Sequence, residues 1–328
     1  MNHIRPIYSS MGLFSIIVSL LMILMSVINF ISDIWQRMLD HVPPHTRFLA
    51  FSTRGYAPSS PLDAASTPLQ IQAQLGHDLA AVISNFITQL SLLAHPESKV
   101  KLLVWSMGFG SFLSTYQLLG SFRLALDSDM TMRGRINEVI IFEIPPTMVL
   151  GAPPSADMQS YNKNIENKSS AEIFQIGMQR VTGFYNLPDS VFTDLPRGVA
   201  NTGIVPPAER FSSDDPEFMR FVGSSMDPGP IVSYTAAALH GEKGDAYSKA
   251  ALNSLMKSGV KKVTVLTTRK TMADCLGGNA LCYGMLRDLR KDMGDDWHSP
   301  QVESRLIEGE YNHFIHVHDP KALWDSIV

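Results

Sequence analysis

The sequence has few cysteines and no long run of basic residues, and each absence excludes a class of protein. Its 328 residues contain only Cys275 and Cys282, whose spacing is neither a C-x-x-C redox pair nor half of a convincing zinc site. We expect two reduced thiols, and a single disulfide is the alternative. The formal net charge is −4, and without a Lys/Arg run there is no electrostatic reason to expect a nucleic-acid partner. We therefore predict no metal, no cofactor and no nucleic acid.

Charged residues are also missing from Pro6 to Ser32. Within this stretch Met11 to Ile31 is mostly apolar, and it is long enough to cross a bilayer as one helix. Its length and the lack of a small-x-small cleavage site argue against a cleaved signal peptide. We therefore predict that residues 1–34 form a single-pass membrane anchor. The alternative is that this segment is a buried element of the folded domain, in a cytoplasmic protein.

What the sequence does contain is typical of a globular α/β protein. Its hydrophobic content is 45% and its charged content 18%, which are ordinary values for a chain with a packed core. Strand-like apolar runs alternate with segments of helical periodicity. The predicted elements are, in chain order, a strand at 47–52, a helix at 69–93, strands at 99–104, 138–144 and 261–266, a helix at 281–293, a strand at 302–306 and a helix at 320–327. This alternation predicts a mostly parallel sheet with helices on both faces, because right-handed crossovers place helices over the sheet.

The alternation breaks between residues 147 and 257, where proline-rich and polar segments separate short helical patterns. Loops of this length without a role are uncommon in compact domains, so we predict an inserted lid, with long surface loops as the alternative. The core is then built from two parts of the chain, residues 35–146 and residues 258–328.

The stretch from Lys99 to Ser111, KVKLLVWSMGFGS, predicts a buried strand that turns sharply into a helix. Ser106 lies on the turn, where its hydroxyl is lifted above the carboxyl end of the sheet and neighbouring N–H groups favour negative charge. The pattern V-W-S-M-G matches the nucleophile elbow G-x-S-x-G in part, since Val104 replaces the first glycine. Ser106 is therefore a candidate nucleophile for acyl transfer, and a plain helix N-cap is the alternative.

Several further segments follow in an order that resembles the α/β-hydrolase superfamily, of the type with a lid after the sixth strand. RFLAFSTRGYAPSS resembles strand 4 and its R-G-x-G-x-S loop, LLVWSMGFGS the nucleophile strand, EVIIFEIPP strand 6 and KKVTVL strand 7. GEYNHFIHVHDPKAL resembles the stretch in which G-H-F precedes a D-P-x-x-F helix. From about Trp35 onward, the resemblance implies an α/β-hydrolase fold with an inserted helical lid and N-terminal strands that are reduced or replaced.

The resemblance also implies a catalytic histidine at His313, in the register of the D-P helix. His316 and His318 are the alternatives. A serine nucleophile needs such a base to remove its proton, and the order Ser106 then histidine is the order of this fold.

The base in turn needs a carboxylate that fixes its tautomer. In most members of the superfamily the acid follows strand 7, where Asp274 is the nearby carboxylate. Some members place it after strand 6, where Glu143 is the candidate. Both residues therefore stay open as the acid, with Asp274 favoured.

The upstream sequence departs from the superfamily, because no His-Gly loop is present to donate an oxyanion N–H; the N–H of Met107 remains. Losing one such donor typically costs roughly 100- to 1,000-fold in turnover. The resemblance predicts a serine hydrolase acting on an ester or thioester of a small, largely apolar substrate, and serine at the elbow argues against an epoxide hydrolase or haloalkane dehalogenase. The alternative is a non-catalytic or weakly active, membrane-attached binding module.

Overall fold

The computed structural model describes part of the chain, and all structural statements below concern that part: residues 20–25, 32–51, 54, 60–61, 66–89, 99–106, 112–113, 115–117, 135–145, 156–189, 192, 209–210, 242–294 and 299–328.

Six strands form one parallel sheet in the order β2-β1-β3-β4-β7-β8, and a two-stranded antiparallel sheet pairs β5 with β6. The strands are β1 (Leu20–Met25), β2 (Thr46–Phe51), β3 (Lys99–Trp105), β4 (Ile136–Phe142), β5 (Gly183–Phe184), β6 (Glu209–Arg210), β7 (Lys262–Thr268) and β8 (Gln301–Ile307). The predicted strands around residues 47–52, 99–104, 138–144, 261–266 and 302–306 are confirmed. All carboxyl ends of the large sheet lie at one edge, because its strands run in the same direction.

The apolar N-terminal segment differs from the predicted membrane anchor. Its described part is strand β1, which pairs with β2 on one side and β3 on the other. A run of Leu, Ile and Met suits an interior parallel strand as well as a membrane helix, since such strands lack polar alternation. In the described residues no helix is long and apolar enough to span a bilayer.

Helices cover both faces of the sheet. They are a 3₁₀ helix (Ser32–His41), α1 (Pro68–Gln89), α2 (Ala156–Ile165), α3 (Ser170–Val181), α4 (Glu242–Met256), α5 (Ala273–Asp292), α6 (Ile315–His318) and α7 (Pro320–Ile327). Successive residues of β3 point to opposite faces: Leu102 and Val104 pack with α1, α4 and α5, whereas Leu103 and Trp105 pack with the 3₁₀ helix, α6 and α7. The predicted three-layer α/β architecture is confirmed.

Part of the predicted lid is described. Helices α2 and α3 and the pair β5–β6 belong to residues 147–257, and most of the remainder lies outside the described residues. Helix α4 also falls within these bounds, but its buried residues Ala251, Leu252 and Leu255 pack into the main core. The boundaries of the lid stay a prediction.

Helix α5 begins eight residues earlier than the sequence predicts, at Ala273 instead of Leu281. Gly277 and Gly278 have low helix propensity and favour a loop when the sequence is considered alone. The first two turns are buried, however, and tertiary packing overrides that propensity. As a consequence Asp274 lies in the first turn of a helix and not in the predicted loop.

Candidate active site

Ser106 and Glu143 are neighbours at the carboxyl edge of the sheet. Each is the first residue after a strand, and the strand-end residues Trp105 and Phe142 pair in register. Both have a left-handed backbone, with φ of 49° at Ser106 and 56° at Glu143. This conformation costs of order 1 to 3 kcal/mol for a residue other than glycine and is concentrated at functional sites. For Ser106 it is the sharp turn expected of a nucleophile elbow.

The Glu143 carboxylate is fully buried and is held by the last residue of β7 and by the chain that follows this strand. Its Oε1 accepts hydrogen bonds from the N–H of Thr268 at 2.7 Å and from the hydroxyl of that residue at 2.8 Å. Its Oε2 accepts a hydrogen bond from the Thr271 hydroxyl. A buried carboxylate is costly unless it is hydrogen-bonded, so these donors fix the position of Glu143.

His313 lies against this carboxylate. Its Nδ1 is 3.4 Å from Glu143 Oε2, and its side chain is 5% exposed. Its ring packs on Trp105, with 4.9 Å between ring centroids, and on Phe314 at 5.4 Å. Because Trp105 directly precedes Ser106, the histidine lies beside the strand end that carries the serine.

The loop that carries His313 is anchored by Asn312, which is fully buried. Its side-chain Nδ2 donates to the carbonyl of Thr182 at 2.8 Å, and its Oδ1 accepts from the N–H of Phe314 at 2.9 Å. These bonds tie the loop to the chain that leaves α3. Asn312 is not among the predicted site residues, although its position directly before the predicted histidine is a signal in the sequence.

A second buried asparagine joins the ends of β4 and β7. Asn279 Nδ2 donates to the carbonyl of Leu266 at 2.9 Å and to the hydroxyl of Thr267 at 2.7 Å, and its Oδ1 accepts from the N–H of Ile144 at 3.1 Å. The Glu143 N–H donates to the same Leu266 carbonyl at 3.4 Å. Asn279 therefore supports the strained turn at Glu143, and nothing in the sequence around it signals this role.

Asp274, the other candidate acid, has a different partner. Its carboxylate forms an ion pair with Arg180 of α3, and both side chains are largely buried. It also lies in the first turn of α5, where the helix dipole favours a negative charge. Glu143 therefore contacts His313, and Asp274 connects α5 to the predicted lid.

The alternative histidines lie elsewhere. His316 is fully buried, and its ring packs on Trp35 and Trp105 at 4.4 Å and 4.2 Å between centroids. Neither of its ring nitrogens has a hydrogen-bond partner among the described residues. Burial, with a smaller effect of His313, holds its pKa well below the usual range, so it is neutral. His318 is exposed, and its ring meets Phe184 edge-on at 5.8 Å.

Both cysteines are free thiols, as the sequence predicts, and they lie in different surroundings. Cys275 Sγ is 3.7 Å from His313 Nδ1. Burial raises the pKa of this thiol well above its usual range, and the negative charges of Glu143 and Asp274 raise it further. Cys282 packs into the core cluster that α1, α4 and α5 form with the sheet. In the part of the chain that is described, Glu143, Cys275 and His313 form the one cluster of His, Cys and acidic residues whose ligand atoms are close enough to hold a metal ion.

The predicted oxyanion donor Met107 lies outside the described residues, as do residues 26–31, which follow β1.

No protein-family model matches the sequence, and a comparison with curated proteins found no match. Among solved structures, a hydrolase from Oleispira antarctica is similar with a TM-score of 0.51 and 14% identity, over 94% of this chain and 90% of the other. A carboxylesterase structure from Nitrososphaera gargenis gives 0.50 and 14%, over 94% and 88%. An esterase from Thermogutta terrifontis gives 0.49 and 13%, over 94% and 87%. Together with the parallel sheet order, the first two show that this chain has the α/β-hydrolase fold.

Proposed function

We propose that the protein is a serine hydrolase that cleaves an ester or thioester of a small, largely apolar substrate. Ser106 is the nucleophile, His313 the base and Glu143 the acid. The observation that carries this proposal is the 3.4 Å contact between His313 Nδ1 and Glu143 Oε2, beside the strained turn of Ser106. The contact is long for a hydrogen bond, and catalytic hydrogen bonds of this kind tighten when the substrate binds.

The chemistry follows from the roles of the three groups. Glu143 holds the proton of His313 on Nδ1, which leaves the lone pair of Nε2 free to accept the proton of Ser106. The serine oxygen attacks the carbonyl carbon of the substrate, and a tetrahedral oxyanion forms. His313 then gives its proton to the leaving alcohol or thiol, and the acyl group stays on Ser106. Water, activated by the same histidine, releases the acid and restores the serine.

The order of the strands indicates which loop supplies the second oxyanion donor. In this fold the hole is built from the N–H after the nucleophile and an N–H from the loop that follows a neighbouring strand. Strand β1 is that neighbour, because it pairs with β3 and ends at the same sheet edge. We therefore propose that Met107 supplies one donor and the chain after β1 supplies the other, in place of the His-Gly loop that the sequence lacks.

Labelling with a fluorophosphonate probe tests the proposal, since the probe reacts with an activated serine. We expect the wild-type protein to be labelled and Ser106→Ala to lose the label. The matched control is Ser254→Ala on α4, whose hydroxyl only donates to the Ala250 carbonyl of its own helix. This variant should be labelled like wild type.

The contrary result is the absence of a Ser106-dependent label in wild-type protein whose cooperative unfolding transition shows that it is folded. That result would overturn the hydrolase proposal in favour of a non-catalytic binding module.

A further inference from the structure

We propose that Glu143, Cys275 and His313 form a binding site for a thiophilic divalent cation such as Zn²⁺. The three residues come from the turn after β4, the first turn of α5 and the loop after β8. Their ligand atoms lie within 4.8 Å of one another, and all three side chains are buried. The resemblance to hydrolases does not account for a thiol at this position.

The separations of the ligand atoms fit a tetrahedral zinc site. Zinc bonds of about 2.3 Å to sulfur and about 2.1 Å to nitrogen or oxygen imply edges of about 3.6 Å between sulfur and nitrogen and about 3.4 Å between nitrogen and oxygen. The observed distances are 3.7 Å from Cys275 Sγ to His313 Nδ1 and 3.4 Å from that nitrogen to Glu143 Oε2. The third separation, between Cys275 Sγ and the Glu143 carboxylate, is at most 4.8 Å, and metal binding closes it to about 3.6 Å, while water completes the tetrahedron.

The donor set selects the class of cation. A thiolate and an imidazole favour zinc and similar metals, whereas Mg²⁺ and Ca²⁺ require oxygen ligands. Binding removes the thiol proton of Cys275, which passes to solvent. The thiolate and the Glu143 carboxylate then balance the two positive charges, so the occupied buried site is neutral.

The hydrogen bonds around Glu143 are those expected for a carboxylate that binds zinc. A ligating carboxylate is normally hydrogen-bonded by outer groups that fix its orientation. Here Thr268 holds Glu143 Oε1 through its N–H and its hydroxyl, and Thr271 donates to Oε2. One lone pair of Oε2 remains for the metal.

Occupation of this site regulates the activity, a consequence that rests on the proposed function. The metal takes the Nδ1 lone pair of His313, so the proton of the neutral ring moves to Nε2. Nε2 then has no lone pair to accept the proton of Ser106, and Glu143 is occupied by the metal. Zinc therefore acts as a reversible inhibitor, and a chelator restores activity.

Cobalt substitution tests the site without any substrate. We expect one equivalent of Co²⁺ bound to the full-length protein to give a thiolate-to-cobalt charge-transfer band, together with the strong visible bands of tetrahedral coordination. Zn²⁺ should displace the cobalt and abolish both. In competition with a chromogenic chelator, Cys275→Ala should bind Zn²⁺ at least about 100-fold more weakly, since even outer-shell changes cost 10- to 100-fold. Cys282→Ala, which removes the other buried thiol, should bind like wild type.

The wild-type spectrum is decisive even where the Cys275 variant fails to fold. Wild-type protein without a thiolate band overturns the site, and so does zinc affinity that is equal in wild type and a folded Cys275→Ala. Ser106→Ala should keep the cobalt spectrum, which separates this proposal from the hydrolase proposal. Wild-type protein that gives the cobalt spectrum but takes no Ser106-dependent label overturns only the hydrolase proposal. Ester hydrolysis that continues unchanged at full zinc occupancy overturns the inhibitory consequence.

Discussion

At the scale of single residues, the two carboxylates that compete for the role of acid are distinguished by their contacts. Both are largely buried, and both follow buried strands in the sequence. Glu143 contacts His313 and is held by two threonines, whereas Asp274 is neutralised by Arg180. The charge of Glu143 is thus available to orient an imidazole, and the charge of Asp274 already has a partner.

We predict that Glu143→Gln lowers kcat for ester hydrolysis by roughly 1,000- to 10,000-fold, the scale seen when the triad acid is replaced by its amide. The amide favours the wrong tautomer of His313. Asp274→Asn should keep kcat within about tenfold and mainly lower the free energy of unfolding, because it leaves Arg180 with a weakened partner in a buried site.

Steady-state kinetics and urea denaturation of both variants check this prediction. A larger loss of kcat in Asp274→Asn than in Glu143→Gln would reverse the assignment of the acid.

Burial of His316 gives a second prediction, on stability. Because its folded-state pKa lies well below the value of 6.5 in the unfolded chain, the unfolded state binds an extra proton in acid. The stabilising effect of the neutral ring is present above pH 6.5 and is lost as the pH falls. Between about pH 7.5 and about pH 5.5, the wild-type free energy of unfolding should fall by about 1.4 kcal/mol more than that of His316→Phe.

Phenylalanine preserves the packing on Trp35 and Trp105, so the difference between the two slopes isolates the titration of His316. Urea denaturation at the two pH values measures it. Equal slopes for wild type and variant would show that His316 is not held neutral.

At the scale of elements, the segment between β8 and α7 positions His313, the proposed base. Asp319 caps α7 by accepting a hydrogen bond from the N–H of Ala322 at 3.0 Å, and the hydroxyl of Tyr311 donates to the same carboxylate at 3.1 Å. Gly309 begins the turn with φ of 119°, and a Cβ there would lie 2.8 Å from the ring of Tyr311. The geometry of this turn therefore requires glycine.

We predict that Gly309→Ala lowers the free energy of unfolding by about 1 to 3 kcal/mol, through backbone strain and contact with Tyr311. It should also lower kcat, because the displaced turn carries His313. Gly284→Ala is the matched control, since it lies within α5 and its added methyl meets nothing within 4 Å.

The control should stabilise the protein by about 0.5 to 1 kcal/mol, since alanine is the better helix former. Thermal denaturation of both variants provides the measurement. A Gly309→Ala protein as stable as wild type would mean that the turn relaxes without strain.

At the scale of the whole molecule, the order of the sheet makes β1 an interior strand of the core. Strand β1 lies between β2 and β3 and forms hydrogen-bonded ladders with both. Strand β3, which leads to Ser106, thus depends on β1 for one of its two neighbours. A membrane anchor, in contrast, would leave the remaining domain intact when removed.

We predict that deletion of residues 1–31 abolishes the cooperative unfolding transition and gives aggregated protein. The single substitution Ile23→Pro should also destabilise the folded protein, because proline removes a ladder hydrogen bond from an interior strand. Circular dichroism and size-exclusion chromatography check both variants. A monomeric truncated protein with the wild-type unfolding midpoint would restore the anchor hypothesis.

Local patterns of the sequence were sufficient for much of the fold and for a short set of candidate residues. The alternation of strand and helix, the turn at Ser106 and the strand before Glu143 follow from hydrophobic periodicity and from residues that favour turns. The helix that begins at Pro320 is predicted from its capping residue, Asp319, and from the proline at its first position. These signals are local, so one sequence determines them without knowledge of the packing.

Tertiary structure alone decided how these parts combine. An apolar run such as residues 20–25 is compatible with a membrane helix and with an interior strand, and only the pairing with β2 and β3 distinguishes them. Burial extends α5 across Gly277 and Gly278, against their intrinsic propensity. Cys275 meets His313 only because segments 38 residues apart converge at one sheet edge. Such contacts join segments that are far apart in the sequence. They escape prediction because the type and spacing of side chains along the chain carry no information about the distance between such segments in the folded protein.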